Sequence, residues 1–270
     1  RRYRQDLLFA GTDGALYRVV GATGDKVMRL QLPARFGLSR VAITPPDSAG
    51  RVYLATSKSF LVAVDVTKGL ILWSHALRGS TRTPPVRQGS RVFVATVDGR
   101  VHALEARDGR EVWSVDLGEQ LTTELSAAHG RILLGTRSGR LQALSSKDGH
   151  TLWSVKLESL PVGQVLCFEK RFAVVTREGD LRVGHLEDGS MIWEAHSPGD
   201  YDKGPVLAED CIVTVNEEGI ISAFTTDSGT GIWSYLSKSR PGCPLVASEE
   251  ILVTAGMDGV LHVIPLQGRK

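Results

Sequence analysis

The stretch DGREVWSVDL at residues 108–117 returns forty residues later as DGHTLWSVKL, then as DGSMIWEAHS and SGTGIWSYLS, and forty residues earlier as KGLILWSHAL. All five tryptophans, Trp73, Trp113, Trp153, Trp193 and Trp233, fall on it, each four residues after a glycine: Gly69, Gly109, Gly149, Gly189 and Gly229. A second set, Gly99, Gly139, Gly179, Gly219 and Gly259, keeps the same step. It extends back to Ser59 and, past a five-residue insertion around Pro45, Pro46 and Asp47, to Gly14. The chain therefore holds seven copies of a unit of about 40 residues, and a fixed period of that length restricts it to a repeat architecture.

Between the landmarks the sequence alternates as strands do, and no helical period interrupts it. In RVFVATVDGRVHALEARDG, Val92, Val94, Val101 and Ala103 face one way between polar neighbours. The third copy predicts four strands, at 84–88, 91–96, 100–104 and 110–116, joined by short turns of Gly with Ser or Asp. Units of this kind predict an all-β, seven-bladed β-propeller of four-stranded antiparallel blades. Ring closure would protect sheet edges that an open stack leaves bare. The first copy enters at its second strand, residues 7–11, and the last stops after its third, near Leu266. Within a single propeller domain, residues 1–270, either such ends complete each other's blades or the chain is cut from a longer protein.

An indole on the outer strand of each blade can lie flat on the Gly turn of the neighbouring repeat, where no side chain obstructs it. The tryptophans are therefore expected to dock blade to blade. Met28 holds the same slot in the first copy and fills it flexibly.

Composition narrows the function classes. With 32 Lys and Arg against 30 Asp and Glu, the net charge of +2 gives no nucleic-acid footprint. The basic run RRYR at residues 1–4 reads as a linker segment. Cys167, Cys211 and Cys243 occupy non-equivalent places in the repeat and form neither a disulfide framework nor a metal spacing. Unpaired thiols argue against a strongly oxidising compartment. No apolar run is long enough to span a membrane, so no direct span is expected. Asn216 precedes two glutamates and is no glycosylation acceptor.

No catalytic residues and no metal ligands are assigned. The seven histidines show no ligand spacing, and GxSxG, HExxH and P-loop patterns are absent. His102 and His262 share one repeat slot, beside Ala103 and Val263, and alternation points both imidazoles away from the hydrophobic layer. Asp98 and Asp258 read as turn formers, and Asn216 as a polar turn residue.

The strings AVDVTKGLILW (63–73), ALEARDGREVW (103–113) and ALSSKDGHTLW (143–153) resemble the tryptophan-docking motif of the PQQ-like, quinoprotein-type propeller family. That family includes quinoprotein dehydrogenases, BamB-like outer-membrane assembly factors and sensor domains of kinases, so the fold alone does not select a function. The dehydrogenases carry adjacent cysteines against the quinone and a Glu, Asn and Asp cluster around calcium. This chain has no adjacent cysteines and a single Asn. The resemblance thus implies a non-catalytic member with no cofactor.

Leu77, Arg78 and Gly79, in ALRGSTRTPPV, resemble the loop with which BamB-like members engage their β-barrel partner. The expectation is a protein-binding scaffold whose partners are other proteins, including an outer-membrane β-barrel assembly component, in the bacterial periplasm or envelope. A ligand-sensing or dimerising domain of a larger receptor or kinase is the alternative. Arg82, Thr122 and Asp202, in shared register, are candidates for the mouth of an axial funnel.

Overall fold

The computed structural model of the chain describes residues 6–11, 13–37, 42–81, 83–248 and 250–266. The RRYR run and Arg82 lie outside the described residues. Apart from one 3-10 turn at Ala34–Phe36, the regular structure is strand throughout, arranged as the seven blades of a β-propeller chain. The chain divides into two compact units, Arg1–Gln120 with Ser146–His150, and Leu121–Ser145 with Thr151–Lys270.

The first unit holds three blades. Blade one is β1 (Asp6–Ala10), β2 (Ala15–Val20) and β3 (Lys26–Gln31); blade two is β4 (Ala42–Ile43), β5 (Arg51–Ala55), β6 (Phe60–Asp65) and β7 (Leu70–Ala76). Blade three is β8 (Val86–Gln88), β9 (Arg91–Ala95), β10 (Arg100–Glu105) and β11 (Glu111–Asp116). Strands follow chain order within each sheet, a meander closed by tight turns.

In the second unit, β12 (Thr123–Glu124) precedes blade four, which is β13 (Ser126–Ala128), β14 (Arg131–Gly135), β15 (Arg140–Ser145) and β16 (Thr151–Lys156). Blade five is β17 (Pro161–Phe168), β18 (Arg171–Thr176), β19 (Asp180–His185) and β20 (Met191–His196). It gains a fifth strand because β12 pairs parallel with β17. Blade six is β21 (Val206–Ala208), β22 (Cys211–Val215), β23 (Ile220–Thr225) and β24 (Gly231–Leu236); blade seven is β25 (Val246–Ala247), β26 (Ile251–Ala255) and β27 (Leu261–Pro265). Among the described residues, blades one and seven have three strands each, as the ends of the repeat predicted.

The two middle strands of a blade are buried on both faces. In β10 the run Val101 to Leu104 is buried without a break, whereas the outer strand β7 alternates between exposed and partly covered residues. This corrects the orientation expected for His102, which is 1% exposed and lies inside. Alternation marks solvent only where one face of a sheet is wet, and a strand covered on both sides has no wet face. The expected burial of Val263 fails in the opposite direction: blade seven leaves it 51% exposed.

Every outer strand carries a bulge at the same point. Ala103 pairs with Trp113 but Leu104 pairs with Glu111, so Val112 is the extra residue. The same skip falls on Val27, Leu72, Leu152, Ile192 and Ile232. A bulge bends the strand and re-aims the next side chain. Here that side chain is the tryptophan, or Met28.

Candidate partner-binding rim

The turn at one end of blades three to six receives the tryptophan of the blade before it. The Trp73 Nε1–H donates to the Ala106 carbonyl at 3.1 Å, and a methyl group added to Gly109 would lie 2.5 Å from Trp73 Cε3. Trp113 repeats this on Ser146 and Gly149, at 3.2 and 2.7 Å. In the second unit Trp153 bonds the Leu186 carbonyl at 3.0 Å over Gly189, and Trp193 bonds that of Thr226 at 2.9 Å over Gly229. Met28 sits on Gly69, with Cγ at 3.4 Å from the same virtual methyl. Trp233 packs against the core cluster to which blades six and seven both contribute. These contacts bury most of the indole face and hold consecutive blades in register.

The other end of the blades carries the loop that follows each outer strand, and there Leu77, Arg78 and Gly79 lie. The Leu77 N–H donates to the Ser59 carbonyl at 2.7 Å, and its side chain, 7% exposed, packs into the core around Tyr53, Leu61 and Val94. Leu77 therefore does not present an apolar side chain to a partner. Its slot is part of the repeat: Leu117, Leu157, Ser197 and Ser237 donate in the same way to Gly99, Gly139, Gly179 and Gly219. Gly79 has φ +125°, and a Cβ there would fall 2.7 Å from Asp98 Oδ1. The Ser80 carbonyl then accepts from the Val97 N–H at 2.8 Å, and the Thr81 hydroxyl donates to the Thr56 carbonyl at 3.2 Å.

Of the three residues, Arg78 alone turns its side chain fully outward. Its slot holds Gly118, Glu158, Pro198 and Lys238 in the following blades, all exposed. The fold thus fixes the loop backbone and leaves this one side chain free to differ. A rigid loop with a guanidinium at its tip suits recognition of carboxylates or carbonyls with little ordering cost.

In the second unit lies a charged cluster that sequence reasoning only touched at Asp202. Lys203 Nζ is 2.7 Å from Asp202 Oδ2, and Arg240 bridges Glu217 at 2.8 Å and Asp202 at 4.0 Å. Asp202 Oδ1 and Thr122 Oγ1 are buried without a partner among the described residues, and no hydrogen bond joins the two. Burial raises the pKa of Glu124, against the opposing charge of Lys203. Backbones crowd the inner strands here: a Cβ on Gly204 would strike Gln164, and one on Gly163 would strike Gly204.

In the first unit His102 pairs a buried imidazole with an acid. Its Nδ1 lies 2.7 Å from Glu111 Oε2, which is also 3.8 Å from His75 Nε2. Burial lowers the His102 pKa below its ordinary 6.5, partly offset by the bond to Glu111. Among the described residues no group of three His, Cys, Asp or Glu side chains is placed to hold a metal ion. Asn216 closes its own turn: its Oδ1 accepts from the N–H groups of Glu218 and Ile220 at 3.1 and 2.8 Å, and its Nδ2 donates to the Pro198 carbonyl. Asp258 Oδ1 likewise accepts from the Val260 N–H at 3.1 Å. Cys167 is pushed up to about 12 by burial, which makes it inert as a nucleophile. No helix among the described residues is long and apolar enough to cross a membrane.

No curated protein matches the chain by sequence. Among solved structures, BamB from Moraxella catarrhalis superposes with a TM-score of 0.79 at 18% identity, covering 98% of this chain and 83% of that one. The computationally designed Ika8 protein superposes with a TM-score of 0.87 at 15% identity, covering 98% and 82%. At such identities the likeness is one of fold. The family model described as outer membrane protein assembly factor BamB matches residues 63–166 and 162–269. The chain thus belongs to the BamB-like family of PQQ-type β-propellers.

Proposed function

We propose that the chain is a non-catalytic scaffold for protein partners in the assembly of outer-membrane or envelope proteins, and that it acts from the bacterial periplasm. Family membership supports the class of function. The observation that carries the reading is the loop at 77–81: its backbone is tied at Leu77, Ser80 and Thr81, and Arg78 projects from it into solvent. The partner class that fits is a β-barrel assembly component offering a carboxylate or a row of carbonyls to the guanidinium. Leu77 and Gly79 serve by holding the loop, not by touching the partner.

The test is a pull-down from an envelope extract with the wild-type chain and with Arg78→Glu, read by quantitative mass spectrometry. Loss of one specific protein in the variant, at unchanged melting temperature, supports the reading. Equal recovery by both removes the loop as the contact.

A further inference from the structure

An arginine heads the second strand of blades three, four and five, as Arg91, Arg131 and Arg171, and in each case it reaches the hairpin of the following repeat. Arg91 Nη1 donates to the carbonyls of Ser146 and Lys147 at 2.7 and 2.5 Å, and its Nε lies 3.9 Å from Glu105 Oε1. Arg171 Nη1 donates to the Thr226 carbonyl at 3.3 Å and to Asp227 Oδ1 at 2.8 Å. Both guanidiniums thus have a carboxylate. Arg131 has none among the described residues: its Nη1 turns back on the His129 carbonyl at 3.1 Å, its Nη2 meets the Glu187 carbonyl only at 3.4 Å, and its Nε is buried without a partner. The cause is a substitution across the ladder. Ser145 stands opposite Arg131 where Glu105 stands opposite Arg91.

This cation lines a cavity of about 480 Å³ at the end of blades four and five where the Trp153 indole bonds the Leu186 carbonyl. His129 lines it from blade four, and Lys170 and His185 from blade five. All three are exposed, and Lys170 makes no ion pair among the described residues. One repeat earlier the slots of His129, Lys170 and His185 hold Gly89, Gly130 and Ser145; one repeat later they hold Glu169, Asp210 and Thr225. The same turns close without basic residues, so the fold does not require them here. A departure from a regular repeat that converges on one cavity marks a site.

The remaining lining residues limit what the site accepts. Asp188 Oδ1 is committed to its own turn, where it accepts from the N–H and the hydroxyl of Ser190 at 2.9 and 2.7 Å. Glu187 stands exposed on the rim and opposes an incoming anion. Leu186 is 2% exposed and offers no apolar anchor. A flat carboxylate is best met by the free fork of an arginine, and both Nη atoms of Arg131 already hold backbone carbonyls. The ammonium and the two imidazoles come from separate turns, an arrangement that suits the oxygens of a tetrahedral oxyanion. The volume falls within the range of about 300–1,000 Å³ usual for small-molecule sites, more than a bare ion needs.

We propose that this cavity binds a small phosphate ester, its phosphate held by Arg131 and Lys170 and by ring N–H groups of His129 and His185. The phosphate supplies Arg131 with the anion that Glu105 and Asp227 supply to its two counterparts. The site goes beyond the scaffold reading and does not involve Arg78.

The probe is glycerol 3-phosphate, titrated into the 270-residue chain by calorimetry, with succinate as the carboxylate comparison and vesicles of phosphatidylglycerol in phosphatidylcholine as a second arm. Saturable binding of glycerol 3-phosphate is expected, with amide resonances of residues 129–131, 170 and 185–188 shifting on titration. Lys170→Gln should weaken it by about fivefold or more. Glu187→Gln should tighten it by about twofold or more. Both changes lie at exposed positions and should leave the melting temperature unaltered, and Lys238→Gln should leave binding as in the wild type. Vesicle binding that also falls with Lys170→Gln supports the site with a lipid headgroup as the ester; binding of glycerol 3-phosphate without vesicle binding supports it with a soluble one. No saturation up to about 10 mM glycerol 3-phosphate, equal affinity for succinate, or wild-type affinity in Lys170→Gln overturns the proposal.

Discussion

The ring of Trp113 lies on Gly149 so closely that a methyl group on the glycine would sit 2.7 Å from Cε3, while the indole N–H is bonded to the Ser146 carbonyl. Gly149 has φ +79°, so it serves two needs at once: a left-handed turn and a flat seat. Replacing the ring removes the contact. Trp153, the most buried of the five at 8% exposure, should cost about 3–5 kcal/mol on change to Ala, or about 10 °C in melting temperature. The more exposed Trp113 should cost less. A shift of under one degree for Trp153→Ala would contradict the docking account.

Glycine substitutions separate the turn from the seat. Gly24 and Gly109 have nearly equal φ, +75° and +72°, but a Cβ at Gly24 meets nothing within 4 Å whereas one at Gly109 meets Trp73. Gly24→Ala should cost only the left-handed strain, about 1–2 kcal/mol. Gly109→Ala should cost about 1–3 kcal/mol more through overpacking. Equal losses in chemical denaturation would show that the indole is not held against the turn.

His102 predicts an acid-sensitive fold. Its native pKa lies below the ordinary 6.5 because burial disfavours the charged imidazolium. The unfolded chain therefore takes up the proton first as pH falls. Stability from this group is complete above 6.5 and declines as pH drops from there through the native value. His102→Gln should flatten the stability profile in that window, measured by denaturant midpoints across pH. An unchanged slope would mean that His102 is not the titrating group.

Much of this fold was legible because the repeat is regular. The landmark residues, strand borders and three-stranded ends follow from spacing, and Ser59 takes φ +60° where its counterparts are glycines. Three things were not legible. Alternation implies a wet face, and it misplaced His102 because the middle strands are covered on both sides. Leu77 is placed at a partner contact only by the resemblance of its loop to that of BamB-like members. Only the recurring bond from its N–H, and its place in the core, show that it belongs to the repeat. The bulge before each tryptophan gives no sequence signal beyond the apolar residue at that place.

The rim loop predicts a separation of binding from stability. Arg78→Glu changes an exposed side chain and should alter stability by less than about 0.5 kcal/mol. Leu77→Ala, by contrast, removes a core side chain and should cost about 2–5 kcal/mol. A variant at Leu77 that lost a partner would therefore report unfolding as readily as contact, so thermal melts must accompany both.

The central claim is that the chain recognises a protein through Arg78, and site-specific photo-crosslinking in bacterial cells tests it most directly. A photoreactive residue at position 78 is compared with one at position 158, the same exposed slot two blades on. The account predicts an adduct with one outer-membrane β-barrel assembly component from position 78 and none from position 158. Folded protein that gives no adduct at 78, or the same adduct at both positions, would contradict it.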